Sequence, residues 1–64
     1  MTLEKLLNKA KKYNANVRVF AGWMTIFQGK PSETTITESE KLRPYLDCEV
    51  FNYRVINGIV VIAI

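Results

Sequence analysis

The stretch Phe51-Asn52-Tyr53-Arg54-Val55-Ile56-Asn57-Gly58-Ile59-Val60-Val61-Ile62-Ala63-Ile64 decides how this chain folds. Asn57-Gly58 stands between two runs rich in β-branched and aromatic residues. That is the signature of a type I′ hairpin turn, whose two central residues both need positive φ. A two-residue loop fixes the register, with Ile56 opposite Ile59, Val55 opposite Val60, Arg54 opposite Val61, Tyr53 opposite Ile62, Asn52 opposite Ala63 and Phe51 opposite Ile64. Side chains alternate across a strand. Phe51, Tyr53, Val55, Val60, Ile62 and Ile64 therefore share a largely apolar face, and Asn52, Arg54, Ile56, Ile59, Val61 and Ala63 share a mixed one. The apolar face requires a cover.

The N-terminus supplies it. Leu3, Leu6, Leu7, Ala10 and Tyr13 recur at the 3.6-residue spacing of a helix and form one apolar stripe. Thr2 is placed to cap this helix, and Glu4 lies in the first turn, where the helix dipole favours an anion. Lys5, Lys9 and Lys12 fall on the opposite side. Asn14-Ala15-Asn16 ends the helix, because Asn tolerates left-handed geometry.

Between the helix and the closing hairpin, Val17–Phe20 and Trp23–Phe27 are β-rich and flank Ala21-Gly22. With Ala21-Gly22 as the loop, Phe20 faces Trp23, Val19 faces Met24 and Val17 faces Ile26. Val17, Val19, Met24 and Ile26 then point to the helix, and Arg18, Phe20, Trp23, Thr25 and Phe27 point away. A longer loop would slip this register and exchange the faces. Residues 28–32 form a turn cluster, and Glu33 to Thr37 read as extended. Thr37 and Glu40 have capping-box spacing, which predicts a short helix from Glu38 to about Arg43, ended by Pro44. Leu42, Tyr45 and Leu46 are its expected buried contacts. The fold class is α+β, one domain over residues 1–64. An N-terminal helix packs on a three- to four-stranded antiparallel sheet of two β-hairpins, with a short connecting helix.

Composition narrows the function. A chain of 64 residues buries only about 60% of its unfolded surface, so it needs an efficient core or self-association. Cys48 is the single cysteine, so no internal disulfide forms, and it reads as a small structural hydrophobe. Histidine is absent, which removes the common nucleophile–base pairs and the usual zinc sets. Gly22, Gly29 and Gly58 are isolated, so there is no glycine-rich phosphate loop. The expectation is a non-enzyme without metal or cofactor. A lone thiol and no export signal point to the cytoplasm. The longest apolar run, Ile59 to Ile64, is too short to span a bilayer.

What remains is contact. The face turned away from the helix is expected to carry Phe20, Trp23, Phe27, Ile56, Ile59 and Val61, edged by Arg18 and Arg54. Either residues 30–46 fold over it, or it stays open and marks an interface with a protein partner or a second copy. The rival use is single-stranded nucleic acid, with Phe20, Trp23 and Phe27 as stacking platforms. The net charge of +3 is concentrated in the first 18 residues. Lys5, Lys9 and Lys12 are accordingly either a solvated helix face or an anion-binding one.

Ile26-Phe27-Gln28-Gly29, then Leu42, Tyr45-Leu46 and Val50, and the closing Gly58-Ile59-Val60-Val61-Ile62-Ala63-Ile64 resemble small uncharacterised bacteriophage-encoded α+β proteins of Gram-positive hosts. The resemblance covers roughly residues 17–64. It implies a short accessory protein in the cytoplasm of an infected bacterium, of the sort that binds and inhibits or redirects a host protein. It carries no functional motif, so no residue role follows from it.

Overall fold

Helix α1 spans Leu3–Lys12 and opens the chain, capped as its sequence dictates. The computed structural model describes all 64 residues apart from the side chain of Thr37. The first-turn N–H groups of α1 are all used. Leu3 donates to the Cys48 carbonyl at 2.9 Å, Glu4 to the Leu46 carbonyl at 3.0 Å, and Lys5 to the Thr2 hydroxyl at 3.4 Å. At the other end, Ala15 donates to the Ala10 carbonyl and Asn14 to that of Lys11, with Asn14 at φ 55. This is a Schellman closure with Asn in place of the usual glycine. Leu3, Leu6, Leu7 and Ala10 are buried, whereas Tyr13, last of the stripe, is exposed.

Four strands form one sheet: β1 (Asn16–Ala21), β2 (Met24–Gly29), β3 (Asn52–Ile56) and β4 (Ile59–Ala63). The closing hairpin has the register read from its turn, from Ile56 opposite Ile59 to Asn52 opposite Ala63. Asn57 and Gly58 sit at φ 53 and 80, as a type I′ turn requires. No atom outside the immediate turn lies within 4 Å of a Cβ placed on Gly58, so a substitution there meets conformational strain alone. Gly58→Ala should cost about 1–2 kcal/mol. A lower urea midpoint at unchanged slope would show it.

The sheet is mixed rather than wholly antiparallel. Its order is β2-β1-β4-β3, and the central pair β1–β4 runs parallel, with Val17 beside Val60 and Val19 beside Ile62. The chain leaves edge β2 and enters the opposite edge, β3, so the two inner strands lie side by side in the same direction. The apolar run Ile59–Ile64 suits this central place, since a strand flanked on both sides has little need of polar alternation.

The first hairpin departs from expectation. Its loop is Gly22-Trp23, with Ala21 paired to Met24 and Phe20 to Thr25. Gly22 has φ 63 and Trp23 does not share the positive φ, the pattern of a Gly-X type II′ turn. The register shifts at Val19/Phe20, where Val19 pairs with Phe27 and Ile26 becomes the extra residue of a bulge. Ile26 and Phe27 consequently both serve the helix side: Ile26 is buried and Phe27 packs against the core.

The connecting segment also differs. Residues 33–38 are helical (α2, Glu33–Glu38) rather than extended, capped by Ser32, whose hydroxyl accepts from the Thr35 N–H at 3.1 Å. Ser32 therefore precedes the helix by one residue, as an N-cap should, and the expected 38–43 helix is displaced. The Thr37 side chain invoked as its cap lies outside the described part. Pro44 does not end a helix but occupies the first turn of a 3-10 segment, Arg43–Tyr45, where a missing N–H costs nothing. Ile36 and Leu42 are buried with Leu3, Leu6, Leu7, Val17, Val19, Ile26 and Ile62, and Tyr45 and Leu46 pack at the rim. The whole connection thus shares one core with α1. Cys48 is exposed, contrary to its reading as a buried hydrophobe: its segment is held by carbonyls that cap α1.

Candidate docking face

Because α1 and α2 lie on one side, the opposite side of the sheet carries no second layer among the described residues. Its composition follows from the registers. One cross-strand row is Asn16, Ile59 and Ile56. The next is Gln28, Arg18, Val61 and Arg54. The third is Thr25, Phe20, Ala63 and Asn52. No acidic residue stands in any of them. Glu4 lies on α1, Glu33 and Glu38 on α2, and Glu40, Asp47 and Glu49 in the connection. The face therefore carries Arg18 and Arg54 in its middle row on either side of Val61, with Ile56 and Ile59 in one neighbouring row and Phe20 and Ala63 in the other.

Arg18, Phe20, Ile56, Ile59 and Val61, with Asn57, line a groove of about 360 Å³. A second depression of about 180 Å³ adjoins it along Asn52, Arg54, Val61 and Ala63. Within the groove the Arg18 Nε is hidden from solvent and has no hydrogen-bond partner among the described residues. A screened, unpaired donor of this kind is costly and calls for an acceptor.

Five of the seven residues predicted for partner binding, Arg18, Phe20, Arg54, Ile56 and Ile59, come together here. Two do not. Phe27 faces the helices, because the bulge at Ile26 turns it inward. Trp23 is 97% exposed at the tip of the β1–β2 loop and belongs to neither face. That tip lies at the end of the sheet away from Asn57-Gly58, since β1 and β4 run parallel. The three aromatics therefore form no common stacking platform.

Lys5, Lys9 and Lys12 are exposed along α1 over about 10 Å of helix and do not converge. Lys5 faces Glu49, whose carboxylate accepts from the Met1 amino group at 2.7 Å. That hydrogen bond and charge hold the Glu49 carboxyl below its ordinary value of 4.5. Lys9 borders a different feature, an open groove of about 190 Å³ between α1 and β3, lined by Leu6, Ala10, Tyr13, Ala15, Tyr53, Val55 and Val60. Sequence reasoning missed this groove. A sheet of four strands is about 14 Å wide between its outer strands and a helix about 10 Å across. With α1 and α2 side by side, the β3 edge stays bare.

Among the described residues no three His, Cys, Asp or Glu side chains could hold a metal ion. No helix is long and apolar enough to cross a membrane. Compared with protein-family models, with curated proteins and with solved structures, the chain matches none.

Proposed function

We propose that this protein works by protein–protein interaction, docking the helix-free face of its sheet onto a partner that offers apolar side chains interspersed with carboxylates. The observation that carries this reading is the acid-free face on which Phe20, Ile56, Ile59 and Val61 are interleaved with Arg18 and Arg54, without a second layer over it among the described residues. Arg and aromatic residues are enriched at interface hot spots, and here they alternate with aliphatic side chains. The bacteriophage resemblance fits an accessory protein that binds, and thereby inhibits or redirects, a host protein.

Affinity capture from the lysate of the bacterial host tests the reading. The wild-type protein should retain a partner that Ile59→Glu releases and that Lys12→Glu, on the helix side, keeps. Equal retention by both variants would remove the face from consideration.

Single-stranded nucleic acid is the alternative use of the same surface. Only Phe20 of the three aromatics lies on it, so titration with single-stranded oligonucleotides at low salt should give no binding. Binding that weakens steeply with added salt would favour the alternative.

A further inference from the structure

We infer that the outer strand β3 takes up an extended segment of another protein as an added strand, and that this segment reads apolar–acidic–apolar. The site shares only Arg54 with the docking face, and the inference stands without that face.

The two edges of the sheet differ. Edge β2 carries a bulge at Ile26, is bordered by Glu40, Lys41, Pro44 and Tyr45, and runs into Lys30-Pro31. Bulges, cover and proline are the devices that keep an edge from pairing. Edge β3 has no strand beyond it, and all five of its residues are exposed. Ile56 and Ile59 flank a two-residue turn, which makes them a hydrogen-bonded pair, so by alternation Arg54 and Val61 are another. Tyr53 and Val55 then turn their N–H and C=O groups outward. The free stretch ends there, because the Phe51 N–H donates to the Ala63 carbonyl of β4 at 2.9 Å. A peptide added to a sheet edge draws affinity from such outward groups and specificity from side-chain pockets.

The chemistry of the added strand follows from what β3 sets beside it. Side chains opposite Tyr53 and Val55 fall on the helix side, where those two residues line the open groove with Leu6, Ala10 and Tyr13. The groove holds about 190 Å³, and a cavity of about 150 Å³ accepts benzene, so a phenyl-sized side chain fits it. The side chain between them falls on the other side of the sheet, opposite Arg54, where a carboxylate pairs and a cation is repelled. Lys9 lines the groove, and Lys12 is exposed one turn further along α1. No acidic residue stands on β3, on β4, or on α1 after Glu4. The complementary segment is therefore acidic. The β3 strand of a second copy does not qualify, because Tyr53-Arg54-Val55 carries a cation where the acid is required.

The probe is a capped synthetic heptapeptide, Glu-Thr-Phe-Glu-Val-Thr-Glu, titrated into isotopically labelled protein and followed by NMR. Resonance shifts should be confined to β3 and the facing side of α1. Amide exchange at Tyr53 and Val55 should slow on saturation, because their outward N–H groups acquire acceptors. Replacing the central Glu of the peptide by Lys should weaken binding about fivefold or more. Arg54→Glu, a change at an exposed side chain, should invert that preference. Four results would each overturn the inference: no binding, unchanged exchange at Tyr53 and Val55, equal affinity for the two peptides, or no inversion by Arg54→Glu. Shifts centred on Phe20, Ile59 and Val61 would place the peptide on the docking face and would likewise overturn it, without touching the proposed function.

Discussion

Leu7→Ala is expected to leave much of the protein unfolded at 25 °C. Leu7 is fully buried at the centre of α1, in the single core cluster that joins both helices to the sheet. Truncating a buried leucine costs about 2–5 kcal/mol, the sum of lost transfer energy and the cavity left behind. A 64-residue domain has about 3–10 kcal/mol in total, with no disulfide to limit its unfolded state. The matching control is Trp23→Ala. Trp23 is the largest side chain in the molecule, but at the hairpin tip it buries almost nothing, and its removal should change stability by no more than about 0.5 kcal/mol. Urea denaturation followed by circular dichroism measures both. A large loss on removing Trp23, or a small one on removing Leu7, would mean that the core lies elsewhere.

Phe20→Ala should weaken binding to the captured partner by about 2 kcal/mol or more, roughly 30-fold. Phe20 is half-buried on β1 and lines the groove with Arg18, Ile56, Ile59 and Val61. A rigid aromatic side chain that becomes fully desolvated on docking is where binding energy concentrates. Ile59→Glu should be still more damaging, because its carboxylate shares the groove with Arg18, competes for that cation with the partner's acid and repels the acid itself. Ile59 is only partly buried in the free protein, so retained circular dichroism would show that binding and not folding has been lost.

The register of the closing hairpin was legible from its turn, but the cover was not: Val60, Ile62 and Ile64 meet the core, while Phe51, Tyr53 and Val55, expected beneath the helix, stay exposed because α1 does not reach the outer strand. Asn57-Gly58 demanded two positive φ values, and these fix the pairing from Ile56 opposite Ile59 to Asn52 opposite Ala63. The register of the first hairpin was not legible, because two local rules competed. Ala21-Gly22 and Gly22-Trp23 are both acceptable two-residue loops, and Gly-X in a II′ turn prevailed. The bulge at Ile26 then slipped the register again, which no local signal announces, and Phe27 changed face as a result. In α2 the β-branched residues Thr34, Thr35 and Ile36 suggested an extended strand. The Ser32 cap and the burial of Ile36 outweighed that weak propensity.

The composition of the helix-free face was largely legible in the same way. Arg54, Ile56 and Ile59 were placed by the closing turn, and Arg18 and Phe20 by their alternation with the core residues Val17 and Val19 in β1. The parallel central pair needed knowledge of where residues 30–46 run, which is a tertiary fact. A hint did exist. The uninterrupted apolar run Ile59–Ile64 reads as an inner strand, while Asn52 and Arg54 give β3 the alternation of an edge.

The claim that the sheet face opposite the helices meets the partner is tested most directly by site-specific photo-cross-linking. A benzophenone amino acid at Ile59 is compared with the same group at Lys12 on α1, each protein being irradiated in lysate of the proposed bacterial host. Covalent adducts of one defined mass from position 59 and none from position 12 are the predicted result. Adducts from position 12 alone would place the contact on the helix side and contradict the account.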